Sequence, residues 1–462
     1  MTDPYDVVVI GLGPGGESLA TTVAKAGRRV LAIDKHLVGG ECPYYGCIPS
    51  KMMVRAADTL AEARRASELA GDVTLTPSWE PVARRVSEQA TAGWDDEVAV
   101  RRLEDAGAEV VHGVARLTGP RSVEIELADG TRRSVTAQVG VVLNPGTRPA
   151  APPVDGLEGT PYWTNRDAVR TTSRPGSLLV LGGGPIGCEL AQVFARFGSR
   201  VTIVQRGDRL VPGDEPEASA LLADVLAGEG IRVLTSAITQ RVSHADGTFT
   251  LALTTDGGDE EVRADQLLVA AGRTPNLDDL GLETVGLDPT ARTLDVDERL
   301  RMSGVDGLWA IGDVTGKGAF THVSMYQSAI AARDLLGDDG PPASYHALPH
   351  ATFTDPEVAG VGLTEQQARD AGLSVRVGHA KLEESSRGFT HGPGARGLVK
   401  VVEDADRGVL VGATAVGPAG GEILGYLAVA VHAAVPVETL RTMIFAYPTF
   451  HRAIETALGD LS

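Results

Sequence analysis

The sequence predicts an α/β chain made of two copies of one βαβ unit, followed by a separate α+β region. Three observations carry that prediction. Residues 7–10 (Val-Val-Val-Ile) read as a buried strand and run into Gly11-Leu-Gly13-Pro-Gly-Gly16, with a helical stretch beyond as far as Ala26. The same order returns at residues 178–181, then Gly182-Gly-Gly184-Pro-Ile-Gly187, then a helix to about Phe197. From about His346 onward there is no third glycine loop, and β-rich stretches alternate with helices. A short apolar strand that feeds a glycine loop and a helix has to return beside a parallel neighbour, so each copy implies its own parallel sheet.

Bulk properties bound the rest. At 462 residues the chain is long enough for about three domains. With 43% hydrophobic and 22% charged residues it can bury real cores, which excludes wholesale disorder. Lys+Arg total 42 against 61 Asp+Glu, a net charge of −19 that argues against nucleic-acid and anionic-membrane partners. Three cysteines are too few for a secreted disulfide framework. The N-terminus, Met1-Thr-Asp-Pro-Tyr-Asp6, is acidic and its apolar run stops in glycines, unlike a signal peptide. The most apolar later stretch, residues 427–437, carries His432 and Pro436 and is far too short to cross a bilayer. The expectation is a soluble, cytoplasmic protein.

Taken in order, a second strand at residues 30–33 ends at Asp34-Lys35. A helix follows from about Ser50 to Ala66. Residues 122–127 and 132–136 read as a hairpin about Asp129-Gly130. A separate strand, residues 139–143, then leads to Gly146. In the second half, residues 201–204 repeat the second strand. Residues 248–255 and 260–264 repeat the hairpin, and residues 266–271 feed Gly272. Another strand ends at Gly312-Asp313. Residues 337–344 form a candidate hinge. The tail holds strands at 397–403 and 409–416 and helices at 420–431 and 437–444. The domains expected are 1–150 with 276–345, then 151–275, then 346–462.

The glycine spacing points to dinucleotides. The first glycine (Gly11, Gly182) permits the tight turn and the second (Gly13, Gly184) lets backbone approach a pyrophosphate. The third (Gly16, Gly187) lets the helix pack on the strand. The helix N-terminus then offers unpaired N–H groups and a positive dipole end to the phosphates. Asp34 stands where such units bind an adenosine ribose. The same offset in the second copy falls on Gln205, followed by Arg206 and Arg209. A carboxylate there would repel a 2′-phosphate, whereas guanidiniums suit one, so the second site is expected to take NADP. The alternative leaves both arginines as solvated loop charges.

Between the copies lies Gly39-Gly40-Glu-Cys42-Pro-Tyr-Tyr-Gly-Cys47-Ile-Pro-Ser-Lys51. Two cysteines five positions apart at a helix N-terminus are expected to have lowered thiol pKa values and to serve redox chemistry. A zinc site would need a second Cys/His pair at ligand spacing, and none is present. An inert buried pair remains the bland alternative. Cys188 reads as packing.

The combination resembles the class I pyridine nucleotide-disulfide oxidoreductases: dihydrolipoamide dehydrogenase and the glutathione, mycothione and mercuric reductases. The resemblance covers nearly the whole chain. Besides the Cys42–Cys47 motif, Ala310-Ile-Gly-Asp313 resembles the second FAD motif, and Ala271-Gly272-Arg-Thr-Pro-Asn276 the return from the nicotinamide domain. Phe353-Thr-Asp-Pro-Glu357 resembles the opening of the dimerisation domain. The resemblance implies an FAD- and NADPH-dependent flavoenzyme acting on a small molecule as a homodimer. It also implies that Cys47 faces the flavin, that Cys42 is the interchange thiol, that Lys51 pairs with Glu189 near flavin N5, and that Asp313 holds the ribitol.

Two departures matter. The family's reductases commonly end in His-Pro-Thr-x-x-Glu, an acid/base dyad, but Tyr447-Pro-Thr-Phe-His451-Arg452 stands here. A phenol, ordinarily titrating near pH 10, does not cycle at neutral pH as imidazole does. A helix through residues 450–458 would place His451 and Glu455 four apart, either as a displaced dyad or as an interface or surface pair. The second departure is Asn144-Pro-Gly146-Thr where the family usually has Ala-Thr-Gly-Ser. It keeps the glycine and is expected to keep FAD binding.

Three functions follow. The first is an NADPH-dependent reductase using its disulfide on a small disulfide or a thiol-bound metal ion. The second is a quinone or other acceptor reductase with direct flavin chemistry. The third is a non-catalytic redox-sensing flavoprotein, which the retained cysteines and Lys51 disfavour.

Overall fold

Val7, Val8 and Val9 are wholly buried, and such β-branched runs form the centre of a parallel sheet covered on both faces. In the computed structural model, which describes residues 5–462, Tyr5–Ile10 leads into the helix Pro14–Lys25 and returns as Val30–Asp34, parallel to the first strand. The reading of residues 1–4 lies outside the described residues. Beside Tyr5–Ile10 run Arg132–Leu143 and then Leu308–Ala310, while Glu109–Gly119 extends the sheet beyond Val30–Asp34; all these pairings are parallel.

One expectation is corrected here. The hairpin arm and the strand feeding Gly146 are one element, Arg132–Leu143. Its first part pairs antiparallel with Ser122–Leu127, and its last part pairs in parallel with Tyr5–Ile10. The sequence changes there from alternation to a continuous apolar run. That marks passage from a half-exposed meander into a buried sheet, not a break.

The second copy repeats the plan. Gln266–Val269, Ser177–Leu181, Arg200–Val204 and Arg232–Leu234 lie side by side in that order, all parallel. Helices Pro185–Arg196 and Pro216–Gly228 belong to it, and Ile238–Ala245, Thr248–Thr255 and Gly258–Ala264 form an antiparallel three-stranded sheet. The C-terminal region is a five-stranded antiparallel sheet in the order Pro349–Thr352, Glu357–Gly362, Val409–Gly417, Leu398–Asp404, Val375–Lys381. Its core takes Leu427, Ile454 and Leu458 from the helices Gly420–His432 and Ala453–Gly459. The helix expected over 437–444 stops at Arg441.

The chain divides into two compact units. One comprises Met1–Pro49, Arg84–Ala150 and Arg273–Ser344; the other comprises Ser50–Ala83, Ala151–Gly272 and Tyr345–Ser462. Among the described residues no helix is long and apolar enough to cross a membrane.

Candidate active site

Both glycine loops have the same internal logic. Gly11 has φ +90° and Gly182 φ +118°, a region that favours glycine. A Cβ on either would strike a neighbouring strand's carbonyl, Asn144 O at 2.2 Å or Ala270 O at 2.3 Å. A Cβ on Gly16 or Gly187 would meet the loop's own first carbonyl at 2.1 or 2.0 Å. At Gly184 nothing lies within 4 Å, and at Gly13 only Asn144 Nδ2 at 3.4 Å. Outer glycines serving packing and a middle glycine facing open space form a cradle that fits a pyrophosphate.

The strand ends also correspond. The Leu12 N–H donates to Asp34 Oδ2 at 2.7 Å, and the His36 N–H to Oδ1 at 2.8 Å. Burial pushes the Asp34 carboxyl upward against those two donors. In the second loop the Gly183 N–H donates to Gln205 Oε1 at 2.9 Å. Lys35 and Arg206 are exposed. Arg209 donates to the Pro212 carbonyl at 2.9 Å and lies 3.8 Å from Asp208.

The cysteines sit on different elements, which corrects the expectation that one helix N-terminus serves both. Cys42 lies in the short helix Glu41–Tyr45, and Cys47 opens the 23-residue helix Cys47–Leu69, which begins before the expected Ser50. The Cys42 thiol is raised, not lowered. Its hydrogen bond to Cys47 and its burial push it up, while Thr321 draws it down. Thr321, first residue of the helix Thr321–Leu336, places Oγ1 3.3 Å from Cys47 Sγ. Sequence reasoning missed Thr321, because nothing about a threonine at a helix start signals a distant sulfur. Cys188 is fully buried, its thiol pushed up to about 12 chiefly by desolvation.

In the other unit, Lys51 Nζ donates to Glu189 Oε2 at 2.7 Å, with Glu189 only 5% exposed. Glu189 Oε1 accepts the Phe353 N–H at 2.8 Å, and the Phe353 ring lies 4.7 Å from Lys51 Nζ. With both oxygens engaged, the buried Glu189 carboxylate is compensated for its burial and holds one ammonium in place.

The C-terminal residues do not assemble a dyad. Tyr447 is 68% exposed and Arg452 stacks over its ring at 5.5 Å. Residues Phe450–Arg452 form a 3₁₀ turn, and the α-helix begins only at Ala453. Glu455 is ion-paired with Arg452 at 2.9 Å. His451 lies instead against Tyr426 and Phe445, at 6.2 and 6.3 Å between rings. The 3₁₀ turn removes the four-residue helical spacing that would align His451 with Glu455.

Residues 5–332 match the pyridine nucleotide-disulphide oxidoreductase family, and residues 348–458 match that family's dimerisation domain. The chain belongs to this family. A mercuric reductase from Streptomyces lividans is 35% identical over 460 residues, covering 98% of this chain and 95% of its own. A dihydrolipoyl dehydrogenase from Thermus scotoductus is 34% identical, covering 99% and 97%. The Cu(II) complex of the HOCl-induced flavoprotein disulfide reductase RclA from Escherichia coli superposes with a TM-score of 0.85 at 27% identity, covering 99% of each chain.

The protein is therefore an NAD(P)H-dependent flavoprotein oxidoreductase with FAD as its flavin. Several further residues fit that flavin. Asn144, the family departure, is buried and donates Nδ2 to the Gly11 carbonyl at 3.1 Å, so it braces the first loop from beneath. Gly40, at φ +67°, would bring a Cβ to 2.9 Å from Gly13 Cα, so its glycine identity keeps the redox motif against that loop. Asp313 Oδ2 accepts from Thr147 Oγ1 at 2.6 Å, and Arg273 Nε donates to that same hydroxyl at 2.6 Å. Gly146 has positive φ and open space at Cβ; Gly272, in the unit of the second glycine loop, has the same.

Proposed function

We propose that this enzyme passes two electrons from NADPH to its Cys42–Cys47 pair, and from the pair to a thiol-bound soft metal ion in preference to a small disulfide. The observation that carries this reading is the cluster of Cys42, Cys47 and the Thr321 hydroxyl, with Cys47 opening the helix that also bears Lys51. Bound FAD would supply the two-electron relay between nicotinamide and thiols. Residues 1–150 with 276–345 would hold it through Gly11, Gly13, Gly16, Asp34, Lys35, Gly40, Gly146 and Asp313. Residues 151–275 would hold NADPH through Gly182, Gly184, Gly187, Gln205, Arg206, Arg209 and Gly272, and residues 346–462 would form the dimer.

Each protein group has a task. Cys47 would face the flavin and Cys42 would meet the acceptor. Lys51, held by Glu189, would keep a positive charge near flavin N5. Tyr447 would close the pocket of the other subunit and donate a neutral hydrogen bond. Breaking a substrate disulfide needs a proton for the departing thiolate, and no imidazole–carboxylate pair stands at residues 447–452. Hg(II) held by the Cys42 and Cys47 thiolates would leave as Hg(0) with both electrons as the two sulfurs rejoin in the disulfide, or two Cu(II) ions would each leave as Cu(I) with one electron, and neither step needs a proton. The names of the mercuric reductase relative and of the copper complex of RclA support the metal reading.

Anaerobic titration with NADPH tests the proposal. A long-wavelength thiolate–flavin band, together with Hg(II) or Cu(II) turnover that Cys42→Ser abolishes, is expected. Full turnover of quinones or metals by Cys42→Ser would favour direct flavin chemistry and overturn it.

A further inference from the structure

Behind Lys51 lies a ladder of buried polar side chains, of which the family resemblance supplied only Glu189. Glu189, Gln192 and Arg196 occupy one face of the helix Pro185–Arg196, at spacings of three and four, and are 5%, 3% and 2% exposed. All three bind the short segment Phe353–Asp355. Glu189 takes the Phe353 N–H at 2.8 Å. The Gln192 amide clasps both backbone groups of Asp355, accepting its N–H at 2.8 Å and donating Nε2 to its carbonyl at 2.7 Å. Arg196 donates to Asp355 Oδ2 at 2.8 Å, where Arg65 arrives from the helix Cys47–Leu69, also at 2.8 Å.

We propose that Gln192 is a positioning residue for Lys51. Lys51 Nζ is held by the Glu189 carboxylate and the Phe353 ring. Both depend on where residue 353 lies, since the same Phe353 supplies the N–H that orients Glu189. Gln192 fixes that segment through backbone atoms two residues on, in a geometry that only a terminal amide satisfies, with one donor and one acceptor on the same carbon. A carboxylate in its place would face the Asp355 carbonyl without a donor. An apolar side chain would leave a buried N–H and C=O unpaired, and the segment would move to satisfy them. The ammonium would then lose its fixed place while keeping its charge.

The inference rests on the reading that Lys51 stands near the flavin and the Cys47 thiolate, and the test separates the two. The measurement is the pH at which the thiolate–flavin band of the NADPH-reduced holoenzyme is half lost, in the wild type, Gln192→Met, Lys51→Met and the double variant. An ammonium near a thiolate lowers its pKa by roughly one unit or more, so Lys51→Met and Gln192→Met should each raise the midpoint by about that much. In the double variant Gln192→Met should add nothing, because the group it positions is gone.

An equal shift from Gln192→Met with and without Lys51 would mean that the amide serves the fold alone, and would overturn the proposal. So would no shift at all. An unmoved midpoint in Lys51→Met itself would remove the underlying reading and this inference together. Gln192→Asn keeps an amide one methylene shorter and cannot span both groups. It should give a partial shift that also vanishes without Lys51, and it carries the test if the methionine variant does not fold.

Discussion

Gln205 holds the N–H of Gly183 at 2.9 Å just as Asp34 holds the N–H of Leu12 at 2.7 Å. The two side chains occupy one structural role in two copies of a motif, and they differ in charge. The first strand end presents a carboxylate to whatever ribose lies beyond it; the second presents an amide beside an exposed guanidinium, Arg206.

The first prediction follows from that difference. A charge-assisted contact to a 2′-phosphate contributes roughly 1.5–3 kcal/mol, which is about tenfold or more in selectivity. The ratio of kcat/KM for NADPH over NADH should exceed ten, and Arg206→Ser should cut it about tenfold. Gln205→Asp restores the repelling carboxylate and should shift preference toward NADH. Equal use of both nucleotides by the wild type would sink this assignment.

Thr321 touches Cys47 at 3.3 Å and draws the Cys42 pKa downward. Removing its hydroxyl should leave Cys42 higher still. Iodoacetamide alkylation of the reduced protein at pH 8 should slow about fivefold at Cys42 in Thr321→Val, the equivalent of one ordinary hydrogen bond. Thr321→Ser should restore the rate. Unchanged alkylation in the valine variant would remove Thr321 from the chemistry.

His451 packs among aromatic rings and Glu455 is taken by Arg452, so neither is arranged for proton transfer. His451→Ala should keep metal turnover within about twofold. Tyr447→His should raise lipoamide or glutathione disulfide turnover by about tenfold or more, within the range a positioned acid/base group contributes. If His451→Ala abolishes turnover while Tyr447→Phe keeps it, the displaced dyad is right after all. Light scattering should give about twice the 48.1 kDa chain mass, as completion of each site by a second copy requires.

Asp58 pairs with the buried Arg196 at 2.6 Å, yet desolvation pushes its carboxyl up to about 6. A carboxyl raised in the folded state binds its proton more tightly there than in the unfolded chain. Its contribution to stability is therefore greatest at low pH, falls as pH rises from about 4 to 6, and is flat above that. Asp58→Asn should gain on the wild type across that window by on the order of 1 kcal/mol, once partial solvent screening is allowed for. Melting curves at pH 4.5 and 7.5 check the sign. A difference independent of pH would show that Asp58 titrates normally.

The sequence by itself determined what is local. Gly11, Gly16, Gly182 and Gly187 were legible because a tight turn and a close helix–strand approach exclude any Cβ, so the constraint is written in residue identity at fixed spacing. Asp34 and Gln205 were legible for the same reason, each lying at a set offset from its own loop. The Cys42–Cys47 pair was legible as a motif of the family but not in its electrostatics. Helix N-termini lower thiol pKa values, whereas the tertiary structure brings Cys47 close enough to Cys42 to raise it. Only the tertiary structure decided that residues 132–143 form one strand shared by two sheets, since period alone does not reveal a change of partner. It also decided that Thr321 meets sulfurs far from it in sequence, that Glu455 answers Arg452 and not His451, and that Gln192 clasps Asp355. The Thr321 and Gln192 contacts join residues far apart along the chain, and for Glu455 helical spacing alone left both Arg452 and His451 as partners. A buried donor or acceptor left without a partner is costly, so the Gln192 amide and the Asp355 backbone pair, and packing alone fixes which group lies within reach.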